Sequence, residues 1–410
     1  MDKTLVFYCI LIILFSEFIL ATVLNYLNAK RFKDPIPKDL DDVYNVEEYK
    51  KSQAYKHTNY KFGILTSVFS LVLILVFLIF GGFAWVDQVA QNMTDNIIIQ
   101  ALIFFGIIMI GSDIFNIPFS YYQTFVIEEK FGFNKTTRKT FLVDKLKQWA
   151  MTVVIGGGIL SLVILFFQWA GANFWLYTWA LVILFTLFMN LFYSKLIVPL
   201  FNKQEPLESG SLKEKIEHYA TNVGFDLQHI FVINGSKRST KANAYFSGFG
   251  KEKRVTLYDT LINDLEEEEI VAVLAHEIGH YKRKHIIFNL ATSILLTGFM
   301  LLLLSLFINH PEVSLAIGVD RPSFHAALIG FGILYSPVSE ITGLLMNHFS
   351  RKFEYQADDY AKDTYAAMPL VTSLKKLSKN SLSNLTPHPA YVFMHYSHPP
   401  LIDRIRNLKA

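Results

Sequence analysis

Glu269-Ile-Val-Ala-Val-Leu-Ala-His276-Glu277-Ile-Gly-His280 is predicted to form one helix, because it is a nearly unbroken run of apolar and helix-compatible residues. Residues four apart lie on one face of a helix, so the imidazoles of His276 and His280 can reach a single metal ion. Glu277 projects beside them. The acidic run at 266–269 suits the first turn, where the helix dipole favours negative charge. The stretch therefore predicts a helix that carries a metal site.

Two histidines and a glutamate at this spacing match the H-E-x-x-H pattern of zinc hydrolases. A catalytic zinc ion has three protein ligands and an open position for a water, whose pKa it lowers to about 7. We therefore expect one zinc ion per chain, with His276 and His280 as ligands and Glu277 as the general base. The alternative is a helix that merely carries two histidines, because a five-residue match also arises by chance.

The third ligand has to come from another segment, and Asn347-His-Phe-Ser-Arg-Lys-Phe-Glu354-Tyr-Gln-Ala-Asp358 supplies a candidate. Glu354 and Asp358 are four residues apart and so share a helix face. Glu354 can complete a His, His, Glu set, and Asp358 can accept a hydrogen bond from the far nitrogen of a ligand histidine. Taken alone, the pair would indicate a solvated acidic face, since Asp359 is adjacent. The H-E-x-x-H motif favours the metal site.

The composition indicates a membrane protein. The 410 residues are 52% hydrophobic and 18% charged, whereas charged residues make up about 25% of a typical soluble protein. Apolar runs of about 20 residues, long enough to cross a bilayer, recur along the chain. Seven are predicted to be spans: 5–24, 62–85, 97–117, 149–169, 174–192, 286–308 and 324–346. The first is expected to be retained, because it lacks a suitable cleavage site and Glu17 interrupts it. The net charge of +3 does not suggest a nucleic-acid partner.

Lysine and arginine are concentrated in two connections, 30–61 after the first span and 130–147 after the third. Positively charged loops face the cytoplasm. These connections, the segment between spans five and six, and the C-terminal tail are therefore predicted to be cytoplasmic, with the N-terminus opposite. We expect a multi-pass protein of the endoplasmic reticulum membrane or a bacterial inner membrane, with its catalytic side cytoplasmic.

Sequence character divides the chain into four parts. Residues 1–200 form a five-span region with two cytoplasmic connections, and 201–285 begin the catalytic domain. Residues 286–348 hold spans six and seven, and 349–410 complete the catalytic domain with the third ligand. Aromatic and β-branched segments in the second part predict strands of a small sheet: 229–234, 244–247 and 254–258. The zinc-motif helix is expected to continue into span six. The fold class is mainly α, a polytopic seven-helix membrane protein with a small α+β zincin-like domain.

Five motifs together carry a resemblance to a known family. They are Val271-Ala-Val-Leu-Ala-His-Glu-Ile-Gly-His, Ser350-Arg-Lys-Phe-Glu-Tyr-Gln-Ala-Asp, Asn243-Ala-Tyr-Phe-Ser-Gly, Thr124-Phe-Val-Ile-Glu-Glu-Lys-Phe-Gly-Phe-Asn-Lys-Thr and Ser397-His-Pro-Pro-Leu-Ile-Asp-Arg. Over nearly its whole length the chain resembles the type I CAAX prenyl endopeptidases, membrane zinc metalloproteases of the gluzincin kind. That family has seven spans, the number predicted above. The resemblance also implies that the helices enclose a water-filled chamber that the zinc site faces.

The resemblance assigns the same zinc ligands and general base as the motif analysis. It also places Asn243, Ala244 and Tyr245 in a strand that lines the substrate groove, where a free strand edge would hold an extended peptide. From the sequence alone, Asn243 would be a plain turn residue.

The resemblance further implies roles for His398 and Arg404, which match the family's C-terminal His-Pro-Pro motif. A cation beside the zinc can stabilise the oxyanion of a tetrahedral intermediate. The alternative is that Arg404 only pairs with Asp358 or Asp403.

Other ionisable residues are interpreted as secondary. Three lie in or beside predicted spans, where charged groups usually face an interior cavity: Glu17, Asp113 and Glu340. His285 lies five residues beyond His280, about 140° around the helix, and is expected at the membrane interface. His310 and His325 are expected near span ends on the opposite side and are poor ligand candidates.

Three functions compete. The resemblance implies an endopeptidase that cleaves after a prenylated cysteine and removes the last three residues of CAAX proteins, with a prenylated peptide and the bilayer as partners and a monomeric state. The second is a broader membrane-protein quality-control protease without a prenyl requirement, although its relatives have fewer spans. The third is a transporter or scaffold with a structural zinc. Structural sites usually have four ligands, often cysteines, whereas three candidates are evident here and the single cysteine, Cys9, is remote.

Overall fold

The computed structural model describes residues 2–248 and 253–410. The α-helices in these ranges are α1 Lys3–Lys30, α2 Val46–Ile79, α3 Gly82–Met93, α4 Ile97–Tyr122, α5 Glu129–Phe131, α6 Arg138–Met151, α7 Gly157–Ala170, α8 Phe174–Leu196, α9 Val198–Phe201, α10 Ser211–Asn222, α11 Asp259–Asp264, α12 Glu267–Lys282, α13 His285–Phe307, α14 Pro311–Ala316, α15 Phe324–Thr364, α16 Ala367–Asn380, α17 Pro389–His395 and α18 Leu401–Lys409. The π-helical segments Gln123–Glu128 and Thr152–Gly156 follow α4 and α6. The strands are β1 Gln204–Pro206, β2 His229–Ile233, β3 Ala244–Ser247 and β4 Arg254–Tyr258.

Six helical stretches of the described chain are long and apolar enough to cross a membrane: Lys3–Lys33, Val46–Ile79, Ile97–Phe131, Arg138–Phe201, His285–Phe307 and Phe324–Thr364. The fourth is 64 residues long. It contains two predicted spans, 149–169 and 174–192, on either side of a 3-10 turn at Gly171–Asn173. The polytopic helical fold is confirmed, whereas the count of seven stays a prediction.

The surfaces of these helices are apolar. Ile12 in α1, Leu184 in α8 and Leu295 in α13 are 67%, 67% and 64% exposed. Extensive exposed apolar surface marks a contact with another phase or protein, here the lipid that the span lengths require.

The second span ends earlier than predicted. The helix α2 stops at Ile79, and Gly81 follows with a φ of +72°. Glycine adopts this left-handed conformation readily because it lacks a Cβ. Trp85 therefore lies in the separate helix α3.

The three predicted strands are confirmed within a four-stranded sheet of order β1-β2-β4-β3. Strands β2 and β4 are parallel, while β1 and β3 are antiparallel to their neighbours. Strand β1 was not predicted, because Gln204-Glu-Pro lacks the alternation of apolar and polar residues that indicates a strand. In the order of the described strands, β3 is at the sheet edge, so one side of its backbone pairs with no other strand of residues 2–248 and 253–410.

The helix α12 begins with a capping box in which the Glu269 carboxylate accepts a hydrogen bond from the backbone N–H of Glu266 at 2.9 Å. Its apolar face packs into the largest core, with Ile270, Leu274 and Ile278 almost fully buried. This burial anchors the helix against the sheet and α16 and fixes which face its histidines present.

The helices α12 and α15 approach closely at Gly279. A Cβ atom there would lie 3.1 Å from the Cα of Ala357 and 3.1 Å from the Cβ of Tyr360. Since ordinary carbon contacts are about 3.5–4.0 Å, a side chain larger than that of glycine would force the two helices apart by a few tenths of an ångström. The contact brings the histidine face of α12 against the acidic face of α15.

The expected continuity between the zinc-motif helix and span six is wrong. The helix α12 ends at Lys282, and Lys284 has a left-handed φ of 62° before α13 begins at His285. The chain therefore changes direction between the metal site and the membrane helix.

Candidate metal centre

Three side chains that can bind a metal ion converge where α12 meets α15. The Nε2 atoms of His276 and His280 are 3.2 Å apart. The two carboxylate oxygens of Glu354 lie 3.5 Å from His276 Nε2 and 3.3 Å from His280 Nε2. A tetrahedral zinc ion with ligand bonds of about 2.0–2.1 Å separates its ligand atoms by about 3.3–3.4 Å. The three side chains therefore fit one zinc ion in both chemistry and spacing.

Behind His276, Asp358 holds the ring. Its Oδ1 lies 2.9 Å from His276 Nδ1, and its side chain is fully buried. Burial lowers the pKa of His276, but hydrogen bonds to Asp358 and Glu354 raise it to about 9. The surroundings of His276 thus favour positive charge, as a cation site requires. His276 Nδ1 and Asp358 Oδ1 thus lie at hydrogen-bond distance, with the carboxylate as the acceptor, as the sequence predicted.

Arg404 is buried beside these residues and holds Asp358 with two hydrogen bonds, from Nε at 2.9 Å and Nη2 at 2.5 Å. Its Nη1 lies 3.3 Å from Glu354 Oε2. Burial lowers the pKa of Arg404, but the hydrogen bond and charge of Asp358 raise it above its usual value. The pairing with Asp358 that was weighed as an alternative is therefore observed. A role in stabilising an oxyanion stays a prediction.

His280 is held from behind by a residue that the sequence analysis set aside. His285 Nδ1 lies 3.0 Å from His280 Nδ1, and His285 Nε2 lies 2.8 Å from Oε1 of the Gln356 side chain. The His285 ring also stacks on Phe353 at 4.2 Å. The expectation of an interfacial residue is wrong, because the 140° estimate assumed one unbroken helix. The break at Lys284 turns His285 back toward the site.

Glu277 and His398 are two further candidate site residues. Glu277 follows the candidate ligand His276 on α12 and is half-buried. The Nδ1 of His398 lies 2.9 Å from Glu354 Oε2, while 64% of its side chain is exposed. His398 is thus at the open side of the cluster, where it can meet a ligand.

The predicted substrate strand lies near the cluster but not in it. Asn243 is exposed, and its backbone carbonyl accepts a hydrogen bond from the Tyr258 N–H at 3.0 Å. With Tyr245 it lines a cavity of about 660 Å³ beside α8. The preceding residues, Lys241 and Ala242, line a second cavity, of about 520 Å³, that also contains His398 and Arg404. The strand and its approach thus connect the two cavities, although the role of Asn243, Ala244 and Tyr245 stays a prediction.

Most of the other ionisable residues considered in or beside the spans have local partners. Asp113 pairs with Lys145 at 2.8 Å and accepts a hydrogen bond from Trp149 at 2.6 Å. His325 is buried and pairs with Asp87 at 2.6 Å. The remaining residues of this group lie apart from the metal cluster: Glu17 accepts a hydrogen bond from Ser336, Glu340 is exposed, and His310 lies 4.0 Å from Glu312.

The fold and this cluster define a class: a polytopic membrane protein with a metallopeptidase site. Comparison with known proteins gives the family. Residues 25–203 match the CAAX prenyl protease N-terminal domain, which has five membrane helices, and residues 206–410 match peptidase family M48. The chain belongs to peptidase family M48 and is a membrane metalloendopeptidase of that family.

Relatives match over nearly the whole chain. "CAAX prenyl protease 1 homolog" of Oryza sativa is 35% identical, with 98% of this chain and 96% of that protein covered. CAAX prenyl protease 1 of Saccharomyces cerevisiae is 34% identical, with 96% and 93% covered. The crystal structure of Ste24p from S. mikatae matches with a TM-score of 0.93 and 33% identity, covering 99% of both chains.

Proposed function

We propose that this protein is a zinc endopeptidase that hydrolyses the peptide bond after a prenylated cysteine and so removes the C-terminal tripeptide of CAAX proteins. The observation that carries the proposal is the convergence of His276, His280 and Glu354: the two Nε2 atoms are 3.2 Å apart, and each lies 3.3–3.5 Å from one carboxylate oxygen of Glu354, a spacing that fits one zinc ion. The names of the relatives supply the substrate class, since they are CAAX prenyl proteases similar over almost the whole chain.

In this mechanism zinc, when bound, supplies Lewis-acid polarisation of the scissile carbonyl and lowers the pKa of a water. Glu277 takes the proton of that water and delivers it to the leaving amine. Asp358 keeps His276 in the tautomer that presents Nε2 to the metal, from 2.9 Å away. The guanidinium of Arg404 supplies positive charge beside the developing oxyanion, and the imidazole of His398 donates a hydrogen bond to that oxyanion.

The substrate peptide is proposed to pair with the free edge of β3 near Asn243, Ala244 and Tyr245 and to cross the metal cluster toward His398. Backbone pairing with an edge strand binds many sequences, because it uses the atoms that all peptides share. The prenyl group is proposed to lie in an apolar space between membrane helices, since each buried CH₂ contributes about 0.8 kcal/mol. The catalytic side is proposed to face the cytoplasm, from the endoplasmic reticulum membrane or from a bacterial inner membrane. The protein is proposed to act as a monomer.

We also propose the four-part division 1–200, 201–285, 286–348 and 349–410. Its last boundary falls inside α15, which runs from Phe324 to Thr364. The membrane region and the third ligand therefore share one continuous helix.

The test is incubation of the purified protein with a farnesylated CAAX peptide and with its unmodified twin, followed by mass spectrometry. We expect loss of the last three residues from the farnesylated peptide, at a much higher kcat/KM than from the twin. A chelator should abolish the reaction and added zinc should restore it. Equal cleavage of both peptides would favour the broader quality-control function, and full activity without zinc would refute a metallopeptidase.

A further inference from the structure

A cationic cluster that the metal site does not use lies in the 520 Å³ cavity beside it. One wall contains His398 and Arg404 from the metal site, and Lys56 of α2 and Lys241 also line the cavity. Its volume falls within the range of about 300–1,000 Å³ typical of small-ligand sites. The described residues that line it include no aspartate or glutamate.

The two lysines lie close together. The ammonium groups of Lys56 and Lys241 are each 5.5 Å from the centroid of the same ring, that of Tyr55. The charge of Lys241 is balanced by a carboxylate, because its ammonium group pairs with Glu128 at 2.9 Å. It also donates a hydrogen bond to the Tyr55 hydroxyl at 3.1 Å. Glu128 also accepts hydrogen bonds from Tyr55 and Gln123, at 2.6 and 3.1 Å.

Lys56 has no such counter-charge. Among residues 2–248 and 253–410, no carboxylate pairs with its ammonium group and no hydrogen bond involves it. It is half-buried, and it also lines a neighbouring cavity of about 310 Å³ between α1 and α2. A half-buried ammonium group without an ion pair or hydrogen bond is costly unless an anion completes it, so an anionic ligand in this cavity would supply the missing partner.

Glu128 belongs to the motif at 124–136 and ends the π-helical segment Gln123–Glu128. Such segments occur frequently at functional sites. This one directs the Glu128 carboxylate toward Lys241 and leaves Lys56 free for another anion.

We propose that Lys56, supported by Lys241, binds the C-terminal carboxylate of the peptide substrate, three residues beyond the scissile bond. The inference rests on the proposed function, which requires a short leaving peptide that ends in a carboxylate. An extended tripeptide reaches about 10 Å, so its carboxylate can lie in this cavity while its first residue remains beside His398. The lysine pair would thereby favour substrates with three residues after the scissile bond.

The experiment compares farnesylated peptides that end in a free carboxylate with the same peptides ending in a C-terminal amide. A hydrogen bond to a charged group corresponds to about a tenfold to hundredfold change in affinity. We therefore expect the wild-type protein to cleave the acid with a kcat/KM at least about tenfold higher than the amide. Lys56→Met should lower cleavage of the acid to the amide level and leave cleavage of the amide within about twofold.

Lys51→Met is the matched control, because Lys51 is exposed on the same helix and does not line the cavity. It should keep the wild-type preference, and Lys56→Arg should retain most of it. Peptides with one or two further residues after the cleavage site should be cleaved more slowly by the wild type, and Lys56→Met should reduce that difference.

A second measurement does not depend on a variant. The free tripeptide should inhibit the wild-type enzyme at least about tenfold more strongly as an acid than as an amide. Equal inhibition, equal wild-type cleavage of acid and amide, or equal loss of both in Lys56→Met would overturn the role of Lys56. Absence of cleavage of any farnesylated peptide by the zinc-loaded wild type would instead refute the proposed function, and the inference with it.

Discussion

Gly279→Ala provides a sharp test of how the metal site is assembled. The added Cβ would lie 3.1 Å from the Ala357 Cα, 3.1 Å from the Tyr360 Cβ and 3.2 Å from the Ala357 carbonyl oxygen. Relief of these contacts requires α12 and α15 to separate by about 0.4 Å. Metal ligation tolerates deviations of only about 0.2 Å. Because His276 and Glu354 lie on opposite sides of this contact, we expect zinc affinity to fall about tenfold to a hundredfold, as for loss of an outer-shell partner.

The cost in folding stability should be smaller. Overpacking a core contact costs about 1–3 kcal/mol, whereas alanine gains about 1 kcal/mol over glycine in a helix. The net loss is therefore about 0–2 kcal/mol, and the protein should fold. Gly343→Ala is the control, because nothing lies within 4 Å of its added Cβ on α15. The assays are chelator competition for zinc affinity and thermal unfolding in detergent. Wild-type zinc affinity in Gly279→Ala would refute the argument that this contact sets the ligand spacing.

Three further predictions concern the site and the topology. Glu277→Gln should lower kcat about a hundredfold to ten-thousandfold with zinc still bound, whereas Glu354→Ala should lose zinc. Metal analysis and activity assays on both variants test this. Zinc loss in Glu277→Gln with zinc retained in Glu354→Ala would mean that the two roles are reversed. His285→Ala should weaken zinc binding about tenfold to a hundredfold. If a chelator titration gives the wild-type zinc affinity, the contact of His285 with His280 does not support metal binding. Single cysteines near Thr94 and Lys409, in an otherwise cysteine-free protein, should label from opposite faces of sealed vesicles, and same-side labelling would contradict the seven-span topology.

The parts of the site that were predicted from the sequence are those fixed by local helix geometry. His276 and His280 are one turn apart on α12, and Glu354 and Asp358 are one turn apart on α15. Spacing alone therefore placed each pair on one face. The docking of the two faces could not be read from spacing. It depends on Gly279, whose close contact with Ala357 is a tertiary property.

The errors in the helix predictions have a common physical origin, which is the interruption of a helix. The zinc-motif helix was predicted to extend into span six and the second span to residue 85, because apolar composition continues across both breaks. A left-handed φ at Lys284 and at Gly81 ends these helices instead. Apolar content reports burial in lipid or core, whereas a single residue with positive φ redirects the chain without a change in hydrophobicity. Hence His285 was assigned to the wrong surroundings.

The assembled centre links three separate parts of the chain. Glu354 lies on α15, which begins in the membrane region, whereas His276 and His280 lie on α12, which packs against the sheet and is separated from α13 by the turn at Lys284. Arg404 of the C-terminal helix closes the arrangement through Asp358. A cation bound by all three ligands therefore joins the sheet domain to a membrane helix. Because binding to the folded state alone stabilises that state, zinc should fix the position of the cavity walls relative to the strand edge as well as supply the chemistry.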